Sequence, residues 1–367
     1  MPPAAVLVDQ EDVRRGVDGV LRATLDAERE RLRDVSPDAE TLADSLDAML
    51  SGGKRLRAAL CYWSWRAHGG DGEPGRSAAL TVGAALELFQ AAALFHDDVM
   101  DASATRRGLP AAHVVHTARH REHGWSGDAA RYGESVAILL GDLALVLAGR
   151  ALGRATAHLD RATTDLVRDL FDDMELAVTT GQFLDVHAQA VAWGADPAAD
   201  EERARTVIRA KTARYSVEHP LLLGAALAGA DAGALAAASS YGLPLGEAFQ
   251  LRDDLLGVFG DPARTGKPAG DDLREGKRTV LVARALASAS DDDRELVQSA
   301  LGRADLTAGE VDGVRESLVR SGAVAAIESL IDELADGALA SLESDALVEP
   351  GRAMLLALAR GLVERDA

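Results

Sequence analysis

The sequence predicts an all-α protein, and three observations carry that prediction. Apolar residues recur at helical spacing almost everywhere, no stretch shows the alternation of a half-buried strand, and Ala and Leu dominate the apolar residues while aromatics make up only 4% of the chain. Hydrophobic residues at 47% and charged residues at 27% are proportions of a globular protein, with enough apolar surface for a sizeable core.

In chain order, the spacing predicts helices over roughly 11–33, 39–50, 56–67, 76–99, 132–151 and 159–192. Four more follow over roughly 201–214, 216–228, 232–259 and 278–287, with another four to the C-terminus. Asp196-Pro197 reads as a helix start, with Asp196 as N-cap. Glycine and proline mark loops at 69–74, 108–110 and 260–276. No short repeat and no low-complexity linker interrupts this series, so residues 1–367 are expected to form one helical domain, with residues 1–10 flexible.

Charge narrows the function. With 59 acidic against 39 basic residues the net charge is −20, which argues against a nucleic-acid partner, since phosphate-backbone binding needs a basic face. The single cysteine, Cys61, excludes an intramolecular disulfide and any multi-cysteine zinc site. Asp9, Glu11 and Asp12 follow a short apolar stretch, unlike a signal peptide, and the apolar stretches 135–153 and 220–246 are interrupted by Asp142 and Asp231. A cytoplasmic protein with no transmembrane segment is expected.

Two acidic clusters end long helices. Asp97, Asp98 and Asp101 close the apolar helix that carries Phe89 and Phe95, and Asp97 and Asp101 share a face one turn apart. Carboxylates at a helix C-terminus oppose the dipole and one another, a cost that a hard divalent cation would offset, and oxygen ligands select Mg²⁺ or Mn²⁺. Asp253 and Asp254 form the second cluster, with Gln250 on the same side of their helix. Either pair alone would pass as a solvated helix end. Their company shifts the balance: Gly52-Gly53-Lys54-Arg55-Leu56-Arg57 puts three cations at a helix start, and Arg106-Arg107-Gly108 follows the first cluster. Arginine forks, lysine charges and carboxylate-held magnesium together suit a polyanion such as diphosphate. The histidines at 113, 116, 120 and 123 read instead as a solvated helix, and Tyr62, Trp63 and Trp65 as core or subunit contact.

In these segments, and in Gly181-Gln182-Phe183-Leu184-Asp185 and Lys211-Thr212, the chain closely resembles the trans-isoprenyl diphosphate synthases, or polyprenyl synthetases. The resemblance implies a bundle of long antiparallel helices around a deep cavity, with the acidic clusters facing across its mouth, and a homodimer. Asp97, Asp101 and Asp253 would ligate three Mg²⁺ ions, with Mn²⁺ as a substitute, supported by Asp98 and Asp254. Arg106, Lys211 and Lys267 would hold the allylic diphosphate, with Gln182 also at the substrate. Lys54, Arg57, Gln90 and Arg107 would hold isopentenyl diphosphate, while Lys211, Thr212 and Gln250 turn dipoles toward an allylic cation.

By the same resemblance, Ala93, Ala92 and Phe89 set product length. Both alanines are small where bulky residues stop the chain at farnesyl, and Phe89, about 12 Å along the helix from Asp97, would be the floor. Geranylgeranyl diphosphate is the expected product. A farnesyl or longer-chain synthase, a class I terpene cyclase and a non-catalytic synthase subunit are the alternatives. The sequence departs from the family at Gly257, where a third aspartate is common; Asp261, Asp271 or Asp272 are candidate substitutes.

Overall fold

The computed structural model describes residues 10–194, 196–261 and 270–364. The described residues are overwhelmingly helical, and they cluster into two compact units. One comprises residues up to Asp169 with Leu222–Asp231 and Val348–Met354; the other comprises Leu170–Leu221, Ala232–Leu347 and the residues from Leu355 on.

The first unit is built on α1 (Val13–Val35), α2 (Glu40–Leu50), α3 (Leu56–Ala67), α4 (Gly75–Met100), α5 (Ala112–Glu122) and α6 (Ala129–Thr156). Helix α4 is its axis, packed by α1, α3 and α6. Close approach is arranged by glycine: a Cβ on Gly83 would lie 2.9 Å from the Ala58 Cβ, and one on Gly141 would lie 2.1 Å from His96 Nε2. The core includes Tyr62, Trp63, Leu86, Leu88 and Phe95, each at most 1% exposed. Truncating Phe95 to alanine would cost about 3–5 kcal/mol. Tyr62, Trp63 and Trp65 are thus core residues, and burial pushes the Cys61 thiol beside them up to about 12.

Two expectations are corrected here. His116 and His120 are buried, not solvated, because α5 packs on α6 and their rings bond to Ser45 Oγ and the Ser126 carbonyl, 3.0 and 3.1 Å away. A two-residue antiparallel ladder, β1 (Thr105–Arg106) with β2 (Leu109–Pro110), also interrupts the helices. Its turn, Arg107-Gly108, has positive φ at both positions, the backbone a two-residue hairpin demands. By length and apolarity alone, α4 and α6 could each cross a bilayer, although 78% of the apolar stretch in α4 and 50% of that in α6 are buried inside the protein.

The remaining elements are α7 (Arg161–Ala190), α8 (Pro197–Ile208), a π-helical segment (Arg209–Glu218), α9 (His219–Leu227), α10 (Ala232–Phe259), α11 (Asp271–Glu275), α12 (Val280–Ser288), α13 (Asp291–Ala300), α14 (Ala308–Arg320), α15 (Ala323–Leu342) and α16 (Gly351–Val363). In the second unit, α10 packs on α15 and on the π-helical segment. Asp196 caps α8 by accepting from the Ala198 amide at 3.0 Å, with Pro197 in the first turn, as its sequence predicts. Helix α11 lies in the segment expected to be loop; Gly270 and Gly276, both left-handed, bound it.

Candidate active site

In the first unit, α4 runs to Met100 and Asp101 continues its last turn, its amide donating to the Asp97 carbonyl at 2.8 Å. That places Asp97 and Asp101 on one side, as the four-residue spacing requires. Asp98 is buried and accepts through Oδ1 from Arg106 Nε at 2.8 Å and from its Nη2, which also lies 3.7 Å from Asp97 Oδ2. Burial raises the Asp98 pKa, Arg106 opposes that, and Asp97 adds to it. Oδ2 of Asp98 is buried with no hydrogen-bond partner. A buried hard oxygen left unsatisfied beside further carboxylates suits a divalent cation, so the residues fit the metal the sequence implies.

The hairpin sorts two adjacent arginines. Arg106 turns to Asp98, whereas Arg107 Nη1 donates to the Met49 carbonyl at 3.3 Å and lies on Gly53, whose φ is +81°. A small cavity there is lined by Met49, Leu50, Arg55, Glu87, Gln90, Ala91, Leu94 and Arg107. Of the expected isopentenyl diphosphate grip, Gln90 and Arg107 therefore share one cavity, with half-buried Arg57 and exposed Lys54 on the turn beside Gly53. Sequence reasoning counts Arg55 only among the cations of that turn, with no role of its own, and misses Glu87. A lone carboxylate in the apolar run 84–89, three residues before Gln90, was the available signal. On α4 itself, Phe89 and Ala92 are buried and Ala93 is half-buried.

In the second unit, Lys211 and Thr212 sit on the π-helical segment, whose wide turns need room from both neighbours. A Cβ on Gly181 of α7 would lie 2.3 Å from the Lys211 amide nitrogen, and one on Gly246 of α10 would lie 2.5 Å from the Ala213 carbonyl oxygen. The Lys211 ammonium donates to Asp185 at 2.6 Å, and Gln182 lies half-buried on the same helix as Asp185. Asp185 acts on Lys211 directly, a role its place in the 181–185 run did not reveal.

Along α10, Gln250 donates to buried Asp254 at 2.7 Å, while Asp253 is exposed. Burial lifts the Asp254 pKa well above the carboxylate range, and the negative charges of Asp272 and Asp253 push it further. The space at Gly257 is already taken: a Cβ there would fall 1.8 Å from Asp272 Oδ2. Asp272, on α11, thus brings a carboxylate to the place where the family's third aspartate would begin, and Lys277 pairs with it at 3.4 Å. Lys267 lies outside the described residues.

The Polyprenyl synthetase family profile matches residues 39–318. A geranylgeranyl diphosphate synthase of Mycobacterium tuberculosis is 35% identical over 334 residues, covering 88% of this chain and 83% of that protein. A geranylfarnesyl diphosphate synthase of Aeropyrum pernix is 33% identical, covering 72% and 74%. Among solved structures, the geranylgeranyl pyrophosphate synthase of Corynebacterium glutamicum, complexed with isoprenyl diphosphate and magnesium, superposes with a TM-score of 0.90 at 38% identity, covering 96% of this chain and 99% of that one.

Proposed function

This chain belongs to the polyprenyl synthetase family, and we propose that it makes geranylgeranyl diphosphate. It is an Mg-dependent trans-prenyltransferase that condenses isopentenyl diphosphate with an allylic diphosphate. The observation that carries the site assignment is the separation of Arg106 from Arg107. One guanidinium serves the acidic cluster and the other the Gln90 cavity, which supplies two distinct diphosphate grips. A terpene cyclase, with one diphosphate to bind, has no use for the second.

In this reading the chain is one synthase domain. Asp97, Asp101 and Asp253 would hold three magnesium ions, or manganese in their place, with Asp98, Asp254 and Asp272 as buried support. Bound magnesium would stabilise the negative charge that grows on the departing diphosphate. Arg106 and Lys211 hold that diphosphate, with Lys267 and Gln182 beside it; Asp98 and Asp185 fix the first two in position. Thr212, Gln250 and the Lys211 carbonyl turn dipoles toward the allylic cation. Lys54, Arg57, Gln90 and Arg107 hold isopentenyl diphosphate so that its double bond attacks the cation, after which a proton leaves to the departed diphosphate.

Small Ala92 and Ala93 leave room for a tail beyond farnesyl, and buried Phe89 closes its path. The placement of Asp272 at Gly257 favours an active enzyme over a non-catalytic subunit. We further infer a homodimer, because α6 exposes Leu139 and Val146 along one face at 57% and 59%. Chromatography of the products formed from isopentenyl diphosphate with each allylic primer tests the proposal. A twenty-carbon diphosphate supports it, and hydrocarbon released from geranylgeranyl diphosphate alone overturns it.

A further inference from the structure

The isopentenyl diphosphate grip is built around a negative charge. Glu87 is 4% exposed, yet it lies within a group of guanidiniums. Its Oε2 accepts from Arg55 Nη1 at 3.2 Å, and its Oε1 is buried with no hydrogen-bond partner. Arg55, itself 6% exposed, donates through Nε to Asp18 at 2.8 Å and through Nη2 to the Leu50 carbonyl. Three elements therefore meet on one arginine: α1 through Asp18, the end of α2 through Leu50, and α4 through Glu87.

The backbone is bent to make this meeting. Arg55 and Arg107 both have positive φ, at 52° and 53°, a conformation unfavourable for a non-glycine residue that persists where surrounding contacts hold it. Both guanidiniums approach Gly53: a Cβ there would stand 3.4 Å from Arg55 Nη1 and 3.6 Å from Arg107 Nη1. Desolvation lowers the Arg107 pKa, repulsion from Arg55, Arg106 and Arg57 adds to it, and the charge of Glu87 opposes both. Glu87 also lines the cavity that Gln90 and Arg107 line.

We propose that Glu87 is a positioning residue for isopentenyl diphosphate: it anchors Arg55, and with it the Lys54–Arg57 turn, before substrate arrives. The inference rests on the assignment of Lys54, Arg57, Gln90 and Arg107 to isopentenyl diphosphate. Without the carboxylate, Arg55 loses its tie to α4, and the turn has to be reassembled by the substrate on each encounter.

The test is steady-state kinetics of Glu87→Gln with each substrate varied in turn. The expected result is a KM for isopentenyl diphosphate raised about tenfold, while KM for the allylic primer stays within about twofold of the parent. Glu87→Asp, which keeps the charge on a shorter arm, should recover most of the loss, and thermal melts show whether each variant is folded. An unchanged or lowered KM for isopentenyl diphosphate, or equal increases in both KM values, overturns the inference. If Glu87→Gln does not fold, Glu87→Asp alone decides: a selective two- to threefold rise supports the role, and none refutes it. Failure of the parent protein to consume isopentenyl diphosphate would instead overturn the functional reading on which the inference rests.

Discussion

The two acidic clusters do the same nominal job with opposite local electrostatics. In the first unit, Asp98 is buried against Arg106, so the fold supplies a counter-charge to the carboxylate it hides. In the second, Asp254 is buried against a neutral amide, Gln250, with Asp272 and Asp253 adding negative charge. Lys277 is the cation that opposes them, and it is shared with Glu275, 2.7 Å away. Burying like charges is expensive unless something compensates them. The contrast separates the two in the proposed site: in the first cluster Arg106 opposes the burial of Asp98 without overcoming it, whereas in the second like charges add to burial and the call for an external cation is greater.

The largest effect comes from removing a direct ligand. Asp97→Ala should lower kcat by about 10³-fold or more while circular dichroism stays unchanged, since the role is electrostatic. Retained near-normal turnover would break the comparison at its root. Next, Asp185→Asn should cost about 10²-fold in kcat by freeing Lys211, the second unit's counterpart of Arg106. The sharpest contrast is between Asp272→Asn and Asp98→Asn. Titration of rate against magnesium should show the first raising the half-saturating concentration about tenfold, while the second acts chiefly on KM for the allylic primer, because it releases Arg106. Equal metal responses in the two variants would erase the proposed asymmetry.

Two smaller effects lie outside the charged clusters. Phe89→Ala should lengthen the product by about one isoprene unit without a comparable loss of rate, and an unchanged product profile would remove Phe89 as the floor. Far from chemistry, Thr307 and Glu310 form a capping box on α14. Hydrogen bonds from the Thr307 amide and hydroxyl, with Arg303, depress the Glu310 pKa to about 2. A depressed carboxylate stabilises the fold above its ordinary value, and that contribution is lost as pH falls through about 2. Glu310→Gln should lower Tm slightly at pH 7 with activity unchanged, and the difference should vanish near pH 2.

Most helices were legible because burying one face imposes a 3.6-residue period that nothing local contradicts. The lapses share a physical cause, since each depends on what a distant segment does. The wide turns at Lys211-Thr212 are packed against Gly181 and Gly246, and glycine in a helix does not announce what approaches it. The resemblance assigns Arg106 and Arg107 to different substrates, but their different protein partners, Asp98 and the Met49 carbonyl, depend on the left-handed hairpin turn. Asp98 and Asp254 were read as supporting carboxylates, and their partners are Arg106 and Gln250. Gly257 was read as a deficit; the carboxylate lying there comes from α11, a helix that its flanking glycines had disguised as loop.

The central proposal is that Asp97 and Asp253 both act through magnesium on an allylic diphosphate. A crystal structure of the protein grown with a bisphosphonate and magnesium tests it most directly. The prediction is that Asp97 and Asp253 each contact metal ions bound to the same bisphosphonate. Metal held by only one of them, or the two aspartates turned to separate faces of the molecule, would contradict it.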